Sequence, residues 1–396
     1  MLAPRIYRTG LIVAALALVI LAFSLRDQPA ALSPTLAPDV FNGQNVAATM
    51  SSIAAGDPTR RPGSDGDKAL ADQVRASLTS RGFSVSTDIF DGRTVDGTRT
   101  LENVIGIRPG LKSGSIVIVA HRDALGSPAL ANLSGTATLM ELARDLEGET
   151  LDRTVVLAST SGSQGTAGAI RLASTLAGPI DSVIVLGDLA SAHARSPIII
   201  PWSARQLVAP PTLRNTLGSA LAAQTSLQAG GTGLGGQFAH LAFPFTLGEQ
   251  APFGARGIPA VAVSVSGEQG PTANAPIAPV AQLTGIGRAV LQSISALNSG
   301  GLVARPSSYL LLDGKIVPGW AIALFTLALL VPVAMTTVDA LARARRRGHL
   351  LGRSVALVLA AAVPFVLAVL VVLAAGVLGV IPAAPPGPVA PGAVPL

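Results

Sequence analysis

His121 and Asp123 are the residues whose type and spacing suit chemistry best in this chain. His121-Arg122-Asp123 closes the apolar run Ser115-Ile-Val-Ile-Val-Ala120. A strand ending in His-x-Asp aims an imidazole out of a sheet edge, and the carboxylate two residues on can orient the ring from behind. That pairing suits a metal site. It equally suits a buried imidazole that satisfies its neighbours without any ion. Two other stretches invite a chemical reading and fail it. Ser161-Gly162-Ser163-Gln164-Gly165 is glycine-flanked, but the Gly-x-Ser-x-Gly spacing of a nucleophile elbow is missing. The glycines of 230–236 resemble a phosphate-cradling loop only in composition, since no lysine follows; a flexible loop is expected there. Cysteine is absent, which excludes disulfides, thiolate metal sites and a cysteine nucleophile.

Short β-branched runs alternate with helical patterns, the mark of a sheet covered by helices on both faces. Strands are predicted at 83–89, 103–107, 115–120, 154–157, 182–186 and 260–265, and helices at 67–80, 134–146, 167–176, 211–223 and 280–297. In the second helix Leu139, Leu142, Ala143 and Leu146 share one face, and Asn132 or Ser134 caps its start. Trp202 suits a partly buried core position. Trp320 suits a membrane interface.

Three segments are too long and apolar for an ordinary core: 10–26, 317–338 and 354–381. The first is either an uncleaved anchor or the apolar core of a signal peptide cut near Ala30 or Ala31; no Ala-x-Ala follows it directly, which favours the anchor. Arg5 and Arg8 precede it, and Arg343, Arg345, Arg346, Arg347 and Arg353 crowd the loop 339–353. The positive-inside bias puts both in the cytoplasm and the long middle region outside. The chain then reads as a cytoplasmic N-terminus (1–9), a first span (10–26), a linker (27–45), an extracytoplasmic domain (46–300), a second linker (301–316), two spans around the arginine loop, and a Pro-rich extracytoplasmic tail (382–396). His349 falls beside that loop. From Ala30 to Arg305 there are 19 Lys plus Arg and 19 Asp plus Glu, so the net +6 of the chain comes from the membrane flanks. Basicity therefore reports topology and lipid contact, not nucleic-acid binding. Abundant Ala, Gly, Pro and Arg with three lysines point to a bacterial, high-GC source.

Six motifs carry a resemblance to a known family: Arg61-Pro62-Gly63-Ser64, Leu101-Glu102-Asn103-Val104-Ile105, Ala120-His121-Arg122-Asp123, Asn132-Leu133-Ser134-Gly135, Gly165-Thr166-Ala167-Gly168, and Pro252-Phe253 with Gly257-Ile258-Pro259-Ala260. Their order and spacing resemble metallopeptidase family twenty-eight, the di-zinc aminopeptidases, whose fold is shared by glutaminyl cyclases and by the noncatalytic ectodomains of transferrin receptor and nicastrin. The likeness covers roughly 46–297. It implies an α/β zinc-exopeptidase-like domain with a mixed central sheet and helices on both faces, here joined to three transmembrane helices.

Carried over position by position, the resemblance implies loss of activity. Ala131 stands where the family's metal-bridging Asp would be, and Gly162 and Ser163 stand where its Glu-Glu pair supplies the general base and a ligand. No histidine follows the Gly257-Ile258-Pro259-Ala260 strand in the place of the last ligand. His121 and Asp188 match ligand positions and Asp123 the carboxylate behind them, so these three read as vestigial, with no metal and no cofactor expected. The alternative is a weakly bound zinc, completed by waters, His193 or Glu249. Function is accordingly expected to be that of a membrane-anchored pseudopeptidase, a binding or scaffold module whose partners are membrane lipid and a membrane or cell-envelope protein, with no nucleic acid. A metal-dependent exopeptidase with a rearranged site is the competing expectation.

Overall fold

The computed structural model describes residues 4–34, 38–57, 59–94, 96–125, 130–192, 196–272, 274–348 and 351–377. His193, His349 and the Pro-rich tail lie outside them. In chain order the elements are α1 (Pro4–Phe23), β1 (Arg26–Asp27), α2 (Gly43–Gly56), α3 (Asp65–Ser80), β2 (Ser84–Thr94), β3 (Gly97–Arg108), β4 (Lys112–His121), α4 (Ser134–Asp145), β5 (Arg153–Thr160), α5 (Ala167–Thr175), β6 (Ile180–Leu186), β7 (Ile198–Ile200), α6 (Pro211–Thr225), α7 (Leu234–Ala242), α8 (Gln250–Ala255), β8 (Ala260–Ser264), α9 (Val280–Ser299), β9 (Tyr309–Leu312), β10 (Lys315–Pro318), α10 (Gly319–Arg346) and α11 (Leu351–Val377). The described residues form two compact units, one within 28–308 and one made of 4–27 with 309–377.

The larger unit is built on a seven-stranded mixed sheet in the order β2-β3-β5-β4-β6-β8-β7. β4 lies at its centre, parallel to both β5 and β6. Ile116 to Ala120 are fully buried, because helices cover both faces and no polar alternation is tolerated. The chain leaves β4 towards β5 on one side and leaves β6 towards β8 on the other. At such a reversal, here the carboxyl ends of β4 and β6, ligand sites form in open α/β sheets. His121 and Asp188 both stand at that edge.

Two motif glycines are there for close approach. A Cβ on Gly135 would lie 2.6 Å from the Leu186 carbonyl oxygen, and one on Gly168 would lie 2.5 Å from that of Ser161. They let α4 and α5 start hard against the ends of β6 and β5.

The six predicted strands and five predicted helices all form. The structure corrects the reading elsewhere. β7, α2, α7 and α8 were not foreseen: β7 is three residues long, and α8 six. α7 incorporates Gly235 and Gly236 of the stretch expected to be a loop. α2 begins inside the expected linker, where Phe41 is already buried against α9. Neither Asn132 nor Ser134 caps α4; its N-cap is Leu133, with no side-chain bond, while the Ser134 hydroxyl donates to the Ala131 carbonyl at 2.5 Å.

In the smaller unit β1, β10 and β9 form an antiparallel sheet. α1 packs on α10 through Gly10, Ala14 and Ala17, small residues on one stripe; a Cβ on Gly10 would meet Pro332 Cα at 2.5 Å. Among the described residues one helix, α10, is long and apolar enough to cross a membrane by length and composition. Arg8–Phe23 and Leu359–Val371 are shorter apolar stretches. Three spans were expected, the last extending to residue 381 and so partly outside the described residues.

Candidate functional site

Four chain segments meet at the carboxyl edge of the sheet. His121 ends β4, Thr160 ends β5, Asp188 follows β6 by two residues, and Glu249 immediately precedes α8. His121 is one-fifth exposed, whereas Asp188 and Glu249 are buried. The Thr160 hydroxyl donates to Glu249 Oε1 at 2.7 Å. Glu249 Oε2 then faces His121 Nδ1 across 3.7 Å and has no hydrogen-bond partner.

The other ring nitrogen is also taken. Asn132 Nδ2 donates to the Asp123 carbonyl at 3.2 Å, which leaves Asn132 Oδ1 as an acceptor 3.3 Å from His121 Nε2. The network therefore places a proton on Nε2. Burial works against the charged ring, but Glu249 above all, then Asp123 and Asn132, outweigh it and push His121 up to about 9. A shift in that direction favours the protonated ring at neutral pH, with Nε2 turned to Asn132 and Nδ1 facing the Glu249 carboxylate beyond hydrogen-bond distance.

Asp123 does not hold the ring, contrary to the expectation from sequence. Its carboxylate accepts from Ser163, the backbone N–H at 3.1 Å and the hydroxyl at 2.9 Å. Burial raises Asp123 to about 6, opposed by His121 and assisted by Asp67 and Glu249. Asp188 is raised as well, mainly by burial, although the nearby Ser266 hydroxyl and the N–H groups of Ala190 and Ser191 oppose the shift. Those two N–H groups reach Asp188 Oδ1 at 3.0 and 2.9 Å, while Oδ2 is buried and unpartnered.

A second layer beneath the site was missed from sequence. Arg122, between the two singled-out residues, is fully buried and points the other way. Its guanidinium lies 2.9 Å from Asp67 Oδ1 and donates to the carbonyls of Asp67, Ser159 and Glu102. Asp67 in turn accepts from the Gly63 N–H at 2.8 Å and the Ser161 hydroxyl at 2.5 Å. This explains what the flanking motifs are for: Gly63, Glu102 and Ser161 are parts of one buried clamp. An arginine between His and Asp was the available signal, since an alternating strand end sends it to the opposite side.

Ala131 is completely buried within the apolar core, and Gly162 has φ +78, where a Cβ would lie 2.8 Å from Leu101 Cδ1 and 3.0 Å from Ala167 Cβ. Ser163 is turned to Asp123 and makes no bond to His121, so no serine–histidine pair exists here. Among the described residues no three of His, Asp or Glu are grouped to hold a metal ion.

No protein-family model and no curated protein matches the sequence. Comparison with solved structures places the fold. A glutaminyl cyclase from Porphyromonas gingivalis superposes with a TM-score of 0.51 at 18% identity, over 65% of this chain and 98% of its own. A zinc aminopeptidase from Bacillus subtilis gives 0.53 at 11%, over 68% and 95%. An aminopeptidase from Aneurinibacillus sp. strain AM-1 gives 0.54 at 12%, over 68% and 97%. The larger unit thus has the fold shared by zinc aminopeptidases and glutaminyl cyclases. At such identities the likeness establishes fold, and activity has to be argued from the site.

Proposed function

We propose that this chain is a membrane-anchored pseudopeptidase, in which an aminopeptidase-like domain serves as a binding or scaffold module. The observation that supports the reading is that His121 Nε2 faces the Asn132 amide oxygen at 3.3 Å. A metal ligand needs a free ring lone pair. The donor set does not fit two zincs in other respects either: the bridging position is the methyl of Ala131 inside the core, and Ser163 and Gly162 bring no carboxylate. Without a metal or a general base the site can still bind. Buried carboxylates around an imidazolium suit recognition of a polar group, such as a peptide terminus or a side chain of an envelope protein. Anchoring is supported by α10 and by the arginine asymmetry; on this reading α1 and α11 also span, and the larger unit lies outside the cell.

One observation favours a second reading, an exopeptidase with a rearranged site. Glu249 Oε2 and Asp188 Oδ2 are buried, unpartnered carboxylate oxygens of residues flanking His121, and a single ion could satisfy them. Elemental analysis of the full chain, purified in detergent with zinc supplied, separates the two. The scaffold reading expects substoichiometric zinc that does not depend on His121. About one or two tightly held zincs per chain, lost on His121→Ala, would overturn it.

A further inference from the structure

α7 is built inside out. Its one buried residue is the polar Gln237, while Leu234 and Phe238 face solvent, Phe238 with half its surface exposed. Beyond the helix Phe243 is 79% and Phe245 66% exposed. Three exposed phenylalanines within eight residues are uncommon on a chain that has only ten.

The segment is held in this form from beneath. Phe243 N–H donates to the Ala239 carbonyl and Phe245 N–H to that of Phe243, each at 2.8 Å. His240 Nδ1–H donates to the Phe245 carbonyl at 3.1 Å, and the His240 ring stacks on the buried Trp202 with centroids 4.4 Å apart. Glu268 accepts from the Thr246 hydroxyl and from the Leu247 N–H. With its backbone tied at several points the loop cannot fold the rings inward, so they are presented outward.

The composition around the rings points to the occupant. Between Arg214 and Glu249 there is no Asp, Glu, Lys or Arg. The segment itself thus offers exposed rings without a charged side chain of its own, its neighbouring carboxylate, Glu268, being engaged by Thr246 and Leu247, and such a surface suits insertion at a lipid interface. The larger unit is continuous at both of its ends with chain of the unit containing α10, so on the anchoring reading it is tethered to the bilayer at two points. We propose that the Phe238–Phe243–Phe245 surface is a wedge that seats in the outer interface of the bilayer anchoring the chain, and so fixes how the domain stands on the membrane. The proposal rests on the anchoring reading above.

Because the native chain has no cysteine, single-cysteine labelling tests it directly. Full-length F243C, L111C and W320C proteins carry an environment-sensitive fluorophore and are reconstituted into phosphatidylcholine–phosphatidylglycerol vesicles containing a shallow nitroxide lipid. Position 111 is an exposed reference and position 320 reports α10. Quenching at 243 is expected to exceed that at 111 by at least about twofold, and F238S/F245S in the F243C background should bring it down to the reference. Quenching at 320 with none at 243 would overturn the wedge and leave the anchoring intact; quenching at neither would overturn both. A label at 243 shielded from a soluble quencher yet unreached by the lipid quencher would put protein there instead, and would likewise overturn the proposal.

Discussion

His121 Nδ1 lies 3.7 Å from Glu249 Oε2, so the imidazole that sequence marks as a ligand faces a buried carboxylate. The ring is raised from its ordinary 6.5 to about 9 despite burial, chiefly by Glu249. The folded state then holds a proton that the unfolded chain has released between pH 6.5 and 9, and the stability this provides is lost as pH rises through that window. A fall of about 3 kcal/mol is expected across it, read from urea midpoints. Asp123 and Asp145, each raised to about 6 mainly by burial, act in the same direction at lower pH: stability drops as pH rises from about 4 through 6. The substitution His121→Gln should flatten the upper window and, by removing the cation that opposes the rise of Asp123, move the lower one towards higher pH. A wild-type profile flat from pH 6.5 to 9 would refute the pairing.

The Arg122–Asp67 pair is wholly buried, and each partner alone would be an uncompensated charge. Arg122→Met should cost about 3–5 kcal/mol. The double variant Arg122→Met/Asp67→Leu should recover part of that loss, since neither charge is then stranded. A double variant less stable than the single one would show that the carbonyl contacts of Arg122, and not its charge, hold the clamp.

Ala131 sits at 0% exposure in the apolar core. Ala131→Asp, which places a carboxylate where the sequence resemblance would put a bridging Asp, should destabilise the domain by at least about 1–3 kcal/mol through a buried carboxylate without a partner. Zinc should not reverse it. Zinc-dependent recovery of the melting temperature would mean that a metal position survives beside residue 131.

Much of the scaffold was legible because period and burial agree. The strands at 115–120 and 182–186 are uniform β-branched runs that a helix-covered parallel sheet requires, and they formed with extended ends. α7 was illegible for the opposite reason: its glycines read as a loop, and its apolar residues face outward, so no inward stripe marks it. The site was half legible. His121 and Asp188 do meet at one sheet edge, but their partners, Asn132 and Glu249, are set by long-range packing that no local spacing encodes. Asp123 was misassigned because the rule that pairs it with the ring assumes a metal ligand, and here Ser163 competes for the carboxylate.

On the anchoring reading, the placement of arginine sets the orientation to be tested. Protease added outside spheroplasts should degrade residues 26–315 and spare the arginine loop 343–353. Cleavage within that loop from outside would invert the orientation, whereas a mature protein beginning near Ala31 would remove only the first span.

Turnover bears most directly on the scaffold reading. The full-length protein in detergent or nanodiscs is assayed against aminoacyl and dipeptide reporters and an N-terminal glutaminyl peptide, with zinc, cobalt or manganese supplied. No hydrolysis or cyclisation above background is expected, with His121→Ala indistinguishable from wild type in activity and altered only in stability. Metal-dependent turnover in the wild type that disappears in His121→Ala would contradict the scaffold reading and establish an enzyme with a rearranged site.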